Sequence, residues 1–515
     1  MRDSRLASRL EKLLLAAALL AGVLVRVYLV SGPLDPISSD EAVPGLMAQH
    51  IRFGARPLFD YSLAYHGPLE SYLTAPLFAL LGMERLSLHL APLVLSLAFI
   101  GAVYVLGRQL YGRGVGLFSA MYAALPAPML TIWGLKFGAG YIVVLVLGTL
   151  GLALTIGVLR HASAGKAALL IALLGLSFWV HYVTIYYVLA IWLTWGVHRF
   201  RARSGAFPRR PASLGARLAV AALSIIALIS LCGVLSALGL TPTDFTRTTI
   251  DFFVIALPVL LGFVQPSAAP ALFAGQIAEL GGVYVLGVGV AIGVGALVVW
   301  MGMRQLSKGD RLLPLYVASA IIVFGLLFTL GRSPTALLHE PRYLLPLYSA
   351  IPLVGLALFE LTRKSMVLRV VLLGGLIAFN LYGNLTLAPA LNLPYISGQT
   401  LANNDSLVEW LDDRGIRHIY ADFWIGYWIA FDSQERVVPY IITADLRPGW
   451  NRYPPYAKEV DRAENPAYVF VAGSDEAEAF AGYLSTNMIE HDTSQIDIFR
   501  VFWNLSRPVR FPLGS

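Results

Sequence analysis

Ser38-Ser39-Asp40-Glu41 sets two adjacent carboxylates just past the apolar run Leu13 to Val30, which is long enough to cross a bilayer. A carboxylate at such an edge can exchange protons where water meets oil. The plain alternative is a helix start, with Ser38 or Ser39 capping and the acidic pair in the first turn. Further titratable and aromatic groups fall at comparable places: Tyr65, His66 and Glu70; Lys136 and Tyr141; His181 and Tyr182; and His339, Glu340, Arg342 and Tyr343. At mid-membrane each charged group would cost roughly 2.5 to 3.5 kcal/mol, and much less at the edge. Each also has an ordinary reading. Lys136 is either a functional cation or a lysine snorkelling to water beside Trp133. His181 is either a ligand or a residue of the interfacial belt, and His339-Glu340-Pro341-Arg342-Tyr343 is either part of a site or a solvated loop with its own ion pair. Arg26, near the outer end of the first apolar run, either pairs with lipid phosphate or faces other helices.

The elements that must position these residues are membrane spans. Of 515 residues, 57% are apolar and 13% charged, far more hydrophobic than a soluble protein. The formal charge of +7 is unevenly divided: residues 1–394 hold 28 basic and 14 acidic side chains, residues 395–515 hold 10 and 17. That split fits membrane topology rather than a nucleic-acid surface. Arg2, Arg5, Arg9 and Lys12 before the first apolar run predict a retained signal anchor that starts in the cytoplasm. An amphipathic helix is expected over Ala42 to Phe53. Ser71 to Leu81 is apolar but falls short of the roughly 17 residues that span a bilayer, so it is expected to lie in the outer interface. Further spans are expected near 86–107, 114–131, 138–159, 166–180, 183–198, 214–240, 282–303, 312–330, 343–361 and 367–388, about eleven in all with the first. This count puts 20 basic against 4 acidic residues on the cytoplasmic side and 7 against 10 in the outer loops, as the positive-inside rule requires. Ile250 to Val264, broken by Pro258, is a second short apolar segment of the interfacial kind.

From about residue 395 the texture changes to that of a small α/β domain on the outer face. A helix is expected from Asn403 to Leu411, strands at Ile416–Tyr420, Val437–Ile442 and Ala467–Val471, a helix at Ser474–Leu484, and a last strand over Ile496–Trp503. The tail shows no glycine-rich nucleotide loop, no metal-ligand spacing and no nucleophile elbow. With Cys232 as the sole cysteine, no disulfide within the chain can staple it. The fold class is thus an all-α polytopic membrane bundle, residues 1–394, plus an extracytoplasmic α/β domain, residues 395–515.

Three stretches carry a family resemblance: Ser39-Asp40-Glu41-Ala42-Val43-Pro44-Gly45-Leu46-Met47-Ala48, Gly67-Pro68-Leu69-Glu70-Ser71-Tyr72-Leu73, and Arg342-Tyr343-Leu344-Leu345-Pro346-Leu347. In this order the chain resembles the GT-C superfamily of polyprenyl-phosphate-sugar-dependent glycosyltransferases, near the protein O-mannosyltransferase and aminoarabinose-transferase branch. The resemblance implies that Asp40, with Glu41 beside it, matches the acid acting as base toward the acceptor, and that Arg342 matches the basic residue holding the donor phosphate. Many relatives place a second acid between spans three and four. Here Trp133-Gly134-Leu135-Lys136-Phe137 offers a lysine instead, which weakens a metal-dependent route and suggests that Lys136 helps to neutralise phosphate. No cofactor is firmly implied, and a divalent cation remains compatible.

The chemistry implied is transfer of a sugar from a polyprenyl-phosphate donor to a glycan, lipid or protein acceptor at the outer face of the plasma membrane. A hydroxyl is a poor nucleophile until a carboxylate takes its proton, and the departing lipid phosphate needs cations. Glu41 points away from Asp40 in helix or strand, so inversion by single displacement is expected. Tyr65, His66, Glu70, Tyr141, His181, His339, Glu340 and Tyr343 complete the expected substrate-binding set. Two rival readings use the same residues: a transporter or flippase of lipid-linked sugars, and a non-catalytic scaffold of the cell envelope. The first predicts inverted repeats, which the sequence does not display.

Overall fold

A computed structural model of the chain describes residues 2–161, 163–203, 252–265, 270–308, 311–329, 341–387, 394–396 and 399–511. The chain divides into two compact units. The first comprises Met1–Leu29, Pro92–Leu135 and Gly140–Leu387; the second comprises Val30–Ala91, Lys136–Ala139 and Ala388–Ser515.

The first unit is helical. Six helices among the described residues are long and apolar enough to cross a membrane: Arg9–Val30, Arg85–Tyr111, Tyr141–Leu159, Gly282–Gln305, Arg342–Leu361 and Met366–Leu385. The pair Arg113–Ala124 and Pro128–Leu135, bent by 69°, counts as a seventh if taken as one broken span. Helices also stand at Ala164–Val180, Ile185–Arg203 and Leu312–Thr329, where spans are expected. The expected count of eleven is not reached, and the run 214–240 lies outside the described residues. The chain is therefore a multi-pass membrane protein, with six or seven candidate crossings among the described residues.

The break at 125–127 shows how sequence sets local structure. Pro126 and Pro128 interrupt the backbone ladder and free carbonyls that lipid cannot satisfy. Arg26 settles this, donating to the carbonyls of Ala123 at 2.9 Å, Ala124 at 2.8 Å and Gly22 at 3.1 Å, and to Ser96 Oγ at 2.6 Å. Asn380 donates to the Leu125 carbonyl at 2.9 Å and Asn384 to that of Pro126 at 2.7 Å. Arg26 thus faces the bundle, which decides between the two alternatives the sequence leaves open. Deeper in the same unit, Ser349 Oγ shares hydrogen bonds of 2.7 Å with Thr149 and with Tyr187.

The second unit joins the connection after the first apolar helix to the tail in one apolar core, in which Val43, Leu46, Phe78 and Leu88 pack with Phe431, Ile441 and Val469. Its sheet has strands β1 (His418–Ala421), β2 (Val438–Ile441), β3 (Ala467–Val471), β4 (Asp492–Ile496) and β5 (Phe499–Trp503), in the order β2-β1-β3-β5-β4. β1 pairs parallel with β2 and β3, and β5 pairs antiparallel with β3 and β4. The last strand expected from the sequence is a hairpin, because Asp497 takes a left-handed φ of 51° and turns the chain. Two helices go beyond the sequence expectation, Phe423–Asp432 and Pro454–Val460.

The Phe423–Asp432 helix accounts for a second difference. The helix expected to be amphipathic at 42–53 runs from Ser39 to Arg52 and is buried nearly all round through Ala48. Gly45 lets Phe431 and Leu88 approach so closely that a Cβ there would sit 2.7 Å from the Phe431 ring. Arg85 ties the same parts together, reaching Asp432 at 2.8 Å, Asp405 at 2.5 Å and Asp35 at 3.4 Å.

Candidate functional site

Within the second unit, the Ser39–Arg52 helix separates its two acids. Glu41, 1% exposed, folds back so that Oε2 accepts from the Ser38 N–H at 3.0 Å and the Ser38 hydroxyl at 3.1 Å, while Oε1 accepts from the Phe137 N–H at 3.2 Å. This is the carboxylate half of a capping box, extended to hold a second loop. Asp40, one residue earlier, points elsewhere. It is half-buried, and among the described residues its carboxylate makes no hydrogen bond or salt bridge. The reading of the pair as a helix start thus fits Glu41, and leaves Asp40 available.

The loop Lys136–Ala139 is clamped at three further points. Glu70 Oε2 accepts from the Gly138 N–H. His66 Nε2 lies 3.3 Å from the Ala139 carbonyl, and its Nδ1 bonds Asp60 Oδ2. Gly138 has φ +73°, and a Cβ there would lie 2.2 Å from Pro44 Cγ, so only glycine fits. Both ring nitrogens of His66 face acceptors, a pattern that the protonated ring, with two donors, satisfies in full. Burial opposes that charge, but the Asp60 carboxylate outweighs it and the His66 pKa is raised. Lys136, at the head of the clamped loop, is half-buried, and Tyr65 is exposed.

The tail adds residues that sequence reading misses. Arg452, 4% exposed, donates through Nε to the Tyr61 carbonyl at 2.6 Å, and Ser62 donates back to the Arg452 carbonyl at 3.0 Å. Burial lowers its pKa, against the opposing fields of Asp60 and Asp40. Nearby His50 bonds Tyr61 and Glu435, both at 2.7 Å. Burial would raise the pKa of Glu435, but hydrogen bonds from His50 and Tyr456 bring it below the ordinary value. Asp60 carries one available signal: it lies six residues before His66 in the same loop. Arg452 carries none, being distant in sequence from every motif.

The first unit holds a different constellation. Arg342 lies 5.1 Å from the Trp133 ring centre and 5.5 Å from that of Tyr343. Tyr141 meets Trp133 at 5.7 Å, His181 at 4.9 Å and Tyr343 at 6.2 Å, and His181 meets Tyr182 in a tilted contact at 4.5 Å. His181 is buried, and its Nδ1 accepts from the Val183 N–H at 3.1 Å. Three separate connections thus deliver an aromatic box bearing a guanidinium, an arrangement suited to an anion attached to a bulky body. His339 and Glu340 lie outside the described residues.

Among the described residues no three His, Cys, Asp or Glu side chains gather in a way that would hold a metal ion. Glu41 is taken up by the Ser38 and Phe137 amides and one oxygen of Asp60 by His66, and no step is derived through a metal ion.

No protein-family model matches the chain, and no curated protein is similar to it in sequence. Solved structures are similar to it in fold. ArnT from Cupriavidus metallidurans in the apo state superimposes with TM-score 0.58 at 14% identity, over 97% of this chain and 98% of that one. The same enzyme bound to undecaprenyl phosphate gives 0.57 at 16%, over 96% and 98%. The archaeal oligosaccharyltransferase AglB from Archaeoglobus fulgidus, in complex with an inhibitory peptide and a dolichol-phosphate, gives 0.51 at 13%, over 88% and 69%. At these identities the likeness is one of fold.

Proposed function

We propose that the chain is an integral-membrane glycosyltransferase that moves a sugar from a polyprenyl-phosphate carrier to an acceptor at the outer face of the plasma membrane. The observation that carries this reading is the division between Asp40 and Glu41 on a GT-C fold: one carboxylate is consumed by structure and its neighbour is left to react. Asp40 takes the proton of the acceptor hydroxyl as the new glycosidic bond forms, a contribution of about 10² to 10⁴ in rate. The bond between the sugar and the carrier phosphate breaks, and the phosphate leaves with its charge neutralised by cations, the role that the motif resemblance gives to Arg342 and to Lys136. Within the first unit, the aromatic box of Trp133, Tyr141, His181 and Tyr343 is of a kind that takes a sugar face or the body of a lipid-linked anion; within the second, His66 and Glu70 hold the Lys136 loop in place. Glu41 and Asp60 are both engaged, which removes the second carboxylate that double displacement needs and favours inversion. The acceptor is a glycan, lipid or protein.

Purified protein in nanodiscs, given radiolabelled undecaprenyl-phosphate sugars and a cell-envelope extract as the source of acceptor, tests this. Asp40→Asn is expected to lower transfer by at least about 10² while undecaprenyl phosphate binding persists. Arg342→Gln is expected to weaken that binding. Full transfer by Asp40→Asn would refute the reading.

A further inference from the structure

Two buried arginines, Arg26 and Arg452, and the half-buried Arg85 are held in different ways. Arg26 spends its donors on carbonyls and a serine. Arg85 meets three carboxylates. Arg452 does neither. Its Nε is bound to the Tyr61 carbonyl, and its guanidinium lies 4.9 Å from the ring centre of Trp450, which in turn stacks on Phe423 at 5.9 Å. Among the described residues its two terminal nitrogens donate to nothing and its charge has no salt-bridge partner, yet those nitrogens are not sealed from solvent. A buried cation is costly unless something completes it. Asp60, Asp40, Tyr427 and Tyr65 are the groups whose fields reach it.

The open edge is a planar fork of N–H donors, the shape that takes a carboxylate or phosphate through two parallel bonds. The Tyr61 carbonyl and the Trp450 ring fix its plane in advance, so little freedom is lost on binding. We propose that Arg452, carried by the tail in the same compact unit as the base Asp40, receives a negatively charged group of the acceptor, a carboxylate or a phosphate. The inference rests on the reading of Asp40 as base and adds the class of acceptor: a hydroxyl compound that is anionic near the hydroxyl. A neutral acceptor leaves the fork unfilled and is discriminated against for that reason.

Full-length protein in nanodiscs is titrated with glucose 6-phosphate, glucuronate and glucose by saturation-transfer NMR, and separately with undecaprenyl phosphate. The wild type is expected to bind both anionic sugars more tightly than glucose, and Arg452→Gln to lower their affinity about tenfold, to the level of glucose. Arg452→Lys keeps the charge without the fork and retains part of the preference. Undecaprenyl phosphate binding is expected to change by less than about twofold in either variant, since its phosphate has other cations. Equal binding of the three sugars by the wild type, or unchanged preference in Arg452→Gln, overturns the proposal. So does a parallel loss of undecaprenyl phosphate binding, which would assign the fork to the donor. A purely structural arginine would lower the melting temperature of Arg452→Gln and leave the ratio of anionic to neutral sugar untouched. Asp40→Asn separates the two readings: if it transfers sugar normally while Arg452→Gln has lost the anion preference, the base is wrong and the anion site stands.

Discussion

Gly138 shows what a single residue contributes. The Lys136–Ala139 loop holds its form through amides given to Glu41 and Glu70, and it can approach Pro44 only because residue 138 has no side chain. Gly138→Ala brings a Cβ against a rigid pyrrolidine and forces a left-handed φ on alanine, which together cost upward of about 1 kcal/mol. Thermal unfolding should show this as a lowered midpoint, with transfer reduced as Lys136 loses its place. An unchanged midpoint would mean the loop is not clamped. Single residues are also where the sequence is least informative. Asp40 stands out as an acid past a membrane-length run, and Glu41 looks like its twin, because the backbone amide that claims Glu41 lies 96 residues away.

At the scale of elements, hydropathy and alternation carry most of the information. Runs such as Tyr141–His161 and Met366–Leu385 are apolar for the full thickness of a bilayer, and β1 and β3 alternate or stay apolar for strand length. The Phe423–Asp432 helix is illegible in the sequence because it is apolar on every face, buried from all sides, and so has no stripe to read. The hairpin of β4 and β5 is hidden by a turn with no glycine. One element also carries a pH dependence. His66 bridges Asp60 and the Lys136–Ala139 loop with a raised pKa. Its contribution to stability is therefore complete below the ordinary histidine value of about 6.5 and is lost as pH rises through the higher folded value. Asp60 and Glu70 are the charges that set its field. The melting midpoint of the wild type should fall across that range. Asp60→Asn, lacking the anion, should move the fall to lower pH, and an identical profile for the two would remove His66 from this role.

In the molecule as a whole, the two units carry different chemical equipment. A helical unit with an aromatic, guanidinium-bearing box and a mixed unit with one uncommitted carboxylate are both built on a fold shared with ArnT over nearly the whole chain. The membrane character and the family resemblance are legible in composition and motif order. The union of the connection after the first apolar helix with the tail is not, because it depends on packing between segments far apart in the chain, such as Gly45 against Phe431. The measurement that bears most directly on the central claim compares Asp40→Asn and Glu41→Gln side by side for sugar transfer from an undecaprenyl-phosphate donor, with the melting midpoint recorded for each. Asp40→Asn should lose at least about 10² in rate at a wild-type midpoint, and Glu41→Gln should lose stability of about 1 to 3 kcal/mol while the folded fraction still turns over. The reverse pattern, with Glu41→Gln inactive and folded and Asp40→Asn active, would contradict the account.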